Sequence, residues 1–144
     1  MGGLIMKIKD SLTLLQWKSL ISLGCKMFGS GDVVKEELPN GGSQYYFIPT
    51  VDEAIDWLRT KHNIIIYDAV EPVISNGTDE VHYRLKVKWC NKHVDYNYKG
   101  RVYIGSTRYA PNLYSLKREA VTLAIRWLKN KKQENKKNGR NSHN

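Results

Sequence analysis

VHYRLKVKW, residues Val81–Trp89, alternates without interruption: Val81, Tyr83, Leu85, Val87 and Trp89 fall on one side of an extended chain, and His82, Arg84, Lys86 and Lys88 on the other. Successive side chains of a strand point to opposite faces, so this period of two predicts a strand with one apolar face on a core and one cationic face toward solvent. The apolar face needs a cover, and the flanking sequence offers two helices. Thr50 with Glu53 forms a capping box ahead of the stripe Val51, Ala54, Ile55 and Leu58, with an end near Asn63. Ser115 is the expected cap of a second helix, whose Leu116, Ala120, Leu123, Ala124, Trp127 and Leu128 return to one face. Both contain nearly the same hexapeptide, AIDWLR at Ala54–Arg59 and AIRWLK at Ala124–Lys129. Alanine lets a helix approach a sheet closely, while Ile, Trp and Leu supply a broad apolar face, so packing alone accounts for the likeness.

Working outward, IIIYDAV is a short apolar run bounded by Pro72, SNGTDE is a turn, and HVDYNY and RVYIG read as further strands. Upstream, Leu12–Leu23 has helical spacing, Thr13 and Gln16 make a capping box, and Gly24 is a natural stop. Gly29–Gln44 reads as linker and hairpin, and QYYFIP as a brief strand. The expected fold class is α+β: an antiparallel sheet of three to four strands with helices packed on one face, plus a short N-terminal helix. The expected organisation is an N-terminal helix and Gly-rich connection over residues 1–44, an α-β-β-β-α core over 45–130, and a disordered basic tail over 131–144.

Charge divides the chain. Its 144 residues carry a net +9, which points to an acidic partner, nucleic acid first among them. Residues 31–80 nevertheless hold ten acidic side chains against three basic, whereas residues 81–110 hold seven basic against one acidic. Asp56 and Arg126, the same position of the two hexapeptides, carry opposite signs, as their halves do. If the fold keeps the halves apart, the molecule has an acidic side and a basic side.

No sequence signature names a reaction. A Walker lysine, a dinucleotide fingerprint, a nucleophile elbow and HExxH are all missing. Cys90 and His93 make a C-x2-H pair without a persuasive fourth ligand, and the paired acids Asp52 and Asp56 are the solvated face of a helix start. The expectation is therefore a non-enzymatic protein with no catalytic residues, no metal and no cofactor. Two cysteines far apart fit a reducing interior, and no run is long enough to span a membrane, so a cytoplasmic location without membrane contact is expected.

The order helix, strand, strand, strand, helix over Asp52–Lys129 resembles a double-stranded-RNA-binding domain. That family holds phosphates with a Lys-Lys-x-Ala-Lys cluster at the start of its last helix. Here the matching letters are Lys117, Arg118, Glu119, Ala120 and Val121, so the resemblance implies a phosphate role for Lys117 and Arg118 but lacks the final lysine. A second resemblance, through LTLLQ, TVDEAIDWLRTKHNI and SLKREAVTLAIRWLK, is to small uncharacterised proteins of phages and prophages of gut bacteria; it implies a viral accessory setting and no reaction. The functional expectation is nucleic-acid binding through Arg84, Lys86, Lys88, Lys99 and Arg101, interleaved with tyrosines on which bases stack, helped by Lys117 and Arg118. The alternative is a protein-interaction module, a host-factor inhibitor or adaptor, docking through the acidic half.

Overall fold

The computed structural model describes residues 10–68, 73–74, 81–90 and 101–141. Helix α1 (Leu14–Ser22) starts at the expected box: the Thr13 hydroxyl accepts from the Gln16 N–H at 3.1 Å, and the Gln16 side chain accepts from the Thr13 N–H at 3.1 Å. These reciprocal bonds satisfy donors that a helix start would otherwise leave open. Helix α2 (Val51–His62) repeats the device with Thr50 and Glu53, carries Asp52 and Glu53 in its first turn and Arg59, Lys61 and His62 in its last, and ends on Asn63 in the left-handed region at φ 58°. Acids at the start and cations at the end both suit the helix dipole.

Between α1 and α2, strands β1 (Val33–Glu37) and β2 (Ser43–Phe47) form an antiparallel hairpin with Val33 opposite Phe47 and Lys35 opposite Tyr45. Its base is fastened to the rest of the chain by close backbone approach. A Cβ on Gly29 would lie 2.2 Å from the Pro49 nitrogen, and one on Gly31 would lie 2.3 Å from the Ser11 hydroxyl. Only glycine fits at these two crossings.

The main sheet contains β3 (Ile64–Asp68), β6 (Leu85–Cys90) and β7 (Arg101–Ser106) in the order β3-β6-β7, all antiparallel neighbours. A two-residue ladder of β4 (Val73–Ile74) and β5 (Val81–His82) stands apart from it. Helix α3 (Leu113–Asn141) closes the fold. Leu85, Val87 and Ile64 are fully buried on one face of the sheet, together with Val51, Ala54 and Leu58 of α2 and Leu116, Ala120, Val121 and Ala124 of α3. Leu12, Trp17 and Leu20 belong to the same cluster, so the N-terminal segment shares this core. The architecture is the expected one: α+β, with antiparallel strands and the helices gathered over one sheet face.

Four local expectations are corrected. The stretch Val81–Trp89 is not one strand: Val81 and His82 pair with β4, Tyr83 bridges to Ala110, and the six-residue β6 begins only at Leu85. Val81 is accordingly 37% exposed and not a core residue. Helix α3 begins at Leu113 and not after Ser115, because the Asn112 side chain accepts from the Ser115 N–H at 3.1 Å. It also continues through residues 131–141, where a disordered tail was expected. Lys, Gln and Glu are good helix formers, and lengthening a helix already anchored in a core needs no new nucleus. The expected strand HVDYNY lies outside the described residues.

Candidate nucleic-acid interface

Because Leu85, Val87 and Trp89 turn toward the helices, Lys86 and Lys88 turn away from them. Their cross-strand partners define two rows on the outer sheet face: Tyr67, Lys86 and Ser106 in one, Ile65, Lys88 and Tyr103 in the next. Each row therefore has a lysine at its centre and a tyrosine at one end. Residues two apart on a strand are about 7 Å from each other, so the two lysines spring from the same face at that backbone spacing. Ile65 is 40% and Tyr103 55% exposed. The Lys88 ammonium stands 5.5 Å from the centroid of the Tyr67 ring, within cation–π range.

A register shift between Val87 and Lys88 takes β7 from Gly105 directly to Tyr103 in the pairing, leaving Ile104 as the extra residue. Ile104 packs on the core while Tyr103 stays outside. Such a bulge re-aims the strand without breaking it. Below these rows, Cys90 pairs with Arg101 and its N–H donates to the Asn63 carbonyl at 2.9 Å. Arg101 thus continues the face by register, while its side chain lies outside what the structure describes, as does the whole of Lys99.

The other expected contacts are placed elsewhere. Arg84 leaves the lysine ladder: its Nε donates to the Thr107 carbonyl at 3.2 Å, and its guanidinium lies 5.3 Å from the Tyr109 centroid. Thr107, buried, also takes the Leu85 N–H on its hydroxyl at 2.9 Å, so this corner is a tied end of the sheet. Lys117 pairs with Asp52 at 2.9 Å, joining α3 to α2, and lies 5.1 Å from the Tyr114 centroid. Arg118 reaches the Ser11 carbonyl at 3.5 Å, and its own carbonyl accepts from the Gln16 side chain at 2.8 Å. Lys117 and Arg118 therefore join helices to one another and do not belong to the Lys86–Lys88 face. The acidic stretch 31–80 is also met by cations from outside residues 81–110, through Lys117–Asp52 and the Lys18–Glu36 pair.

Sequence reasoning passed over the residues beside Lys88. Ile65, Tyr67, Lys88 and Cys90 line a depression of about 320 Å³, and Arg59, Thr60, Asn63, Ile65 and Cys90 line a second of about 460 Å³. They share Ile65 and Cys90, so the two adjoin along β3 and are taken together as a trough. The apolar run IIIYD marked a strand, but its partner strand had to be known before Ile65 and Tyr67 were seen to flank Lys88.

A larger open groove of about 690 Å³ lies between the end of α1 and α2, walled by Met27, Glu53, Asp56, Trp57, Lys61 and His62. Burial works against the charged form of Glu53, but N–H groups of Thr50 and Ser30 and the Ser30 hydroxyl outweigh it, holding the carboxyl below its ordinary range. His62, edge-on to Trp57 at 4.7 Å, is depressed by burial. Burial raises the Cys25 thiol, with a smaller opposing contribution from a backbone hydrogen bond at Met27. Among the described residues no three His, Cys, Asp or Glu side chains gather to hold a metal, and no helix is long and apolar enough to cross a membrane. Comparison of the chain with protein-family models, with curated proteins and with solved structures gives no match.

Proposed function

We propose that the protein is a non-enzymatic, phage-type accessory protein of the cytoplasm that binds nucleic acid through the outer face of its three-stranded sheet. The observation carrying this reading is the pair of rows in which Lys86 and Lys88 stand centrally, with Tyr67 and Tyr103 beside them and the opposite sheet face closed by helices. Lysines on one strand face neutralise phosphates, and adjoining aromatic faces accept bases without a strong sequence preference. Net charge +9 adds a long-range attraction. Relative to the expectation from sequence, the interface contracts: Lys86 and Lys88 remain, Arg101 adjoins them by register, and Arg84, Lys117 and Arg118 hold the fold together.

Titration of the protein against fluorescent RNA and DNA at several salt concentrations tests this. Replacing Lys86 and Lys88 together by Gln lowers the slope of log affinity against log salt by about 1.4–1.8, the release of two phosphate contacts. An unchanged slope removes the sheet face as the interface. Docking of a protein partner through the acidic half has one observation in its favour, the groove beside Trp57 and His62. Its distinguishing mark is a captured partner that survives nuclease treatment.

A further inference from the structure

We propose that the trough along β3 is a binding site for single-stranded nucleic acid, with a nucleobase seated among Ile65, Tyr67 and Cys90 and the neighbouring phosphate held by Lys88. The inference rests on the nucleic-acid reading above and narrows its ligand. A duplex offers phosphates to a flat cationic face and keeps its bases stacked inside, so it has no use for an apolar slot beside Lys88. An unpaired strand does, because its bases turn outward and stack on side chains.

Three observations converge on the slot. Its volume, about 320 Å³, lies at the lower end of the ~300–1,000 Å³ typical of small-ligand sites. Its walls are an aliphatic side chain, an aromatic ring and a thiol, with Lys88 on the rim. The ammonium of Lys88 stands over the Tyr67 ring, so that ring turns its negative π face toward the position of the cation. A phosphate draws the flexible lysine outward, and a planar base takes its place over the ring.

The trough then continues past Ile65 and Cys90 to Asn63 and Arg59, which gives a second nucleotide its path. Asn63 is fixed in the left-handed conformation at the end of α2, and its side-chain amide offers both a donor and an acceptor to a base edge. Arg59, 60% exposed at its side chain, pairs with Asp56 and supplies the next cation along the path.

Cys90 makes the test direct. It is a free, half-buried thiol in the wall of the trough, whereas Cys25 is free and buried, so one chain contains both the probe and its internal reference. The intact protein is incubated at low salt with single-stranded RNA of roughly 12 nucleotides or with a duplex of the same length. Affinity is measured by fluorescence anisotropy, and alkylation of each cysteine by iodoacetamide is followed by mass spectrometry. The single strand binds about tenfold tighter than the duplex, the effect of one stacked base, and slows alkylation at Cys90 relative to the free protein and to the duplex complex. Tyr67→Leu, and Cys90→Trp, which fills the slot, each reduce single-strand affinity by about tenfold, with folding checked by circular dichroism. Binding of single strand and duplex with equal affinity and equal Cys90 reactivity overturns the trough while leaving the phosphate-binding face intact. Failure to bind either probe overturns both readings.

Discussion

AIDWLR and AIRWLK share four of six letters, yet the two helices are set against the core at different rotations. In α2 the buried line runs through Val51, Ala54 and Leu58, with Ile55 and Trp57 at its margins. In α3 it runs through Leu116, Ala120, Val121, Ala124 and Ile125, with Trp127 and Leu128 at the margins. Ala occupies the contact line in both, but the second anchor is the leucine in one helix and the isoleucine in the other. Their tryptophans diverge as a result: Trp127 lies 5.7 Å from Trp89 of the sheet, while Trp57 turns toward His62 and the open groove. A repeated peptide is therefore no guide to a repeated environment. Composition sets which residues are available for burial, and the elements packed alongside decide which of them are buried.

The largest expected contrast follows from the leucines. Leu58→Ala removes a fully buried side chain and costs about 2–5 kcal/mol, whereas Leu128→Ala, at the margin, costs roughly 1 kcal/mol, both read from urea unfolding. Equal losses would mean that the helices share one rotational setting after all.

A smaller contrast separates the two tryptophans' surroundings by pH. Burial holds His62 below the ordinary imidazole value of 6.5, so the folded protein favours the neutral ring while the unfolded chain takes a proton at higher pH. Protonation then favours unfolding. Stability is fully present above pH 6.5 and falls as the pH drops through 6.5 toward the folded value, levelling off below it. The urea midpoint of the wild type follows this course, and His62→Gln flattens it. Among the described residues no histidine lies against the Trp127 ring, which Lys131 approaches at 5.4 Å.

The smallest effect belongs to the contrast in sign that first sets the hexapeptides apart. Asp56 and Arg126 are both exposed, and exchanging their charges in a double variant alters stability by no more than about 0.5 kcal/mol. A larger change would give Asp56 a role beyond its surface pair with Arg59.

What was legible in the sequence was what neighbouring residues decide. Thr13 with Gln16, Thr50 with Glu53, a hairpin turn within Gly29–Gln44, and the expected strand Val81–Trp89 from Leu85 onward all act within a few residues, and these are found in place. The corrections come from partners far along the chain. Tyr83 is drawn out of the expected strand by Ala110, and Arg84 is turned aside by Thr107 and Tyr109. Lys117 and Arg118 find Asp52 and Ser11, 65 and 107 residues away in sequence. The candidate site was legible in half for the same reason: the lysines declare themselves by spacing, but the trough exists only once β3 lies beside β6.

Helix α3 is a beam fixed at one end. Its 29 residues extend about 43 Å, and the part beyond Lys129 projects about 18 Å from the last residues that pack on the core. Lys131, Lys132 and Lys136 along it are exposed, so the helix carries their charges away from the core. A load on the far end acts as torque about the seat where Trp127 meets Trp89. That seat lies on the inner side of β6, at the residue next to Lys88 of the outer face.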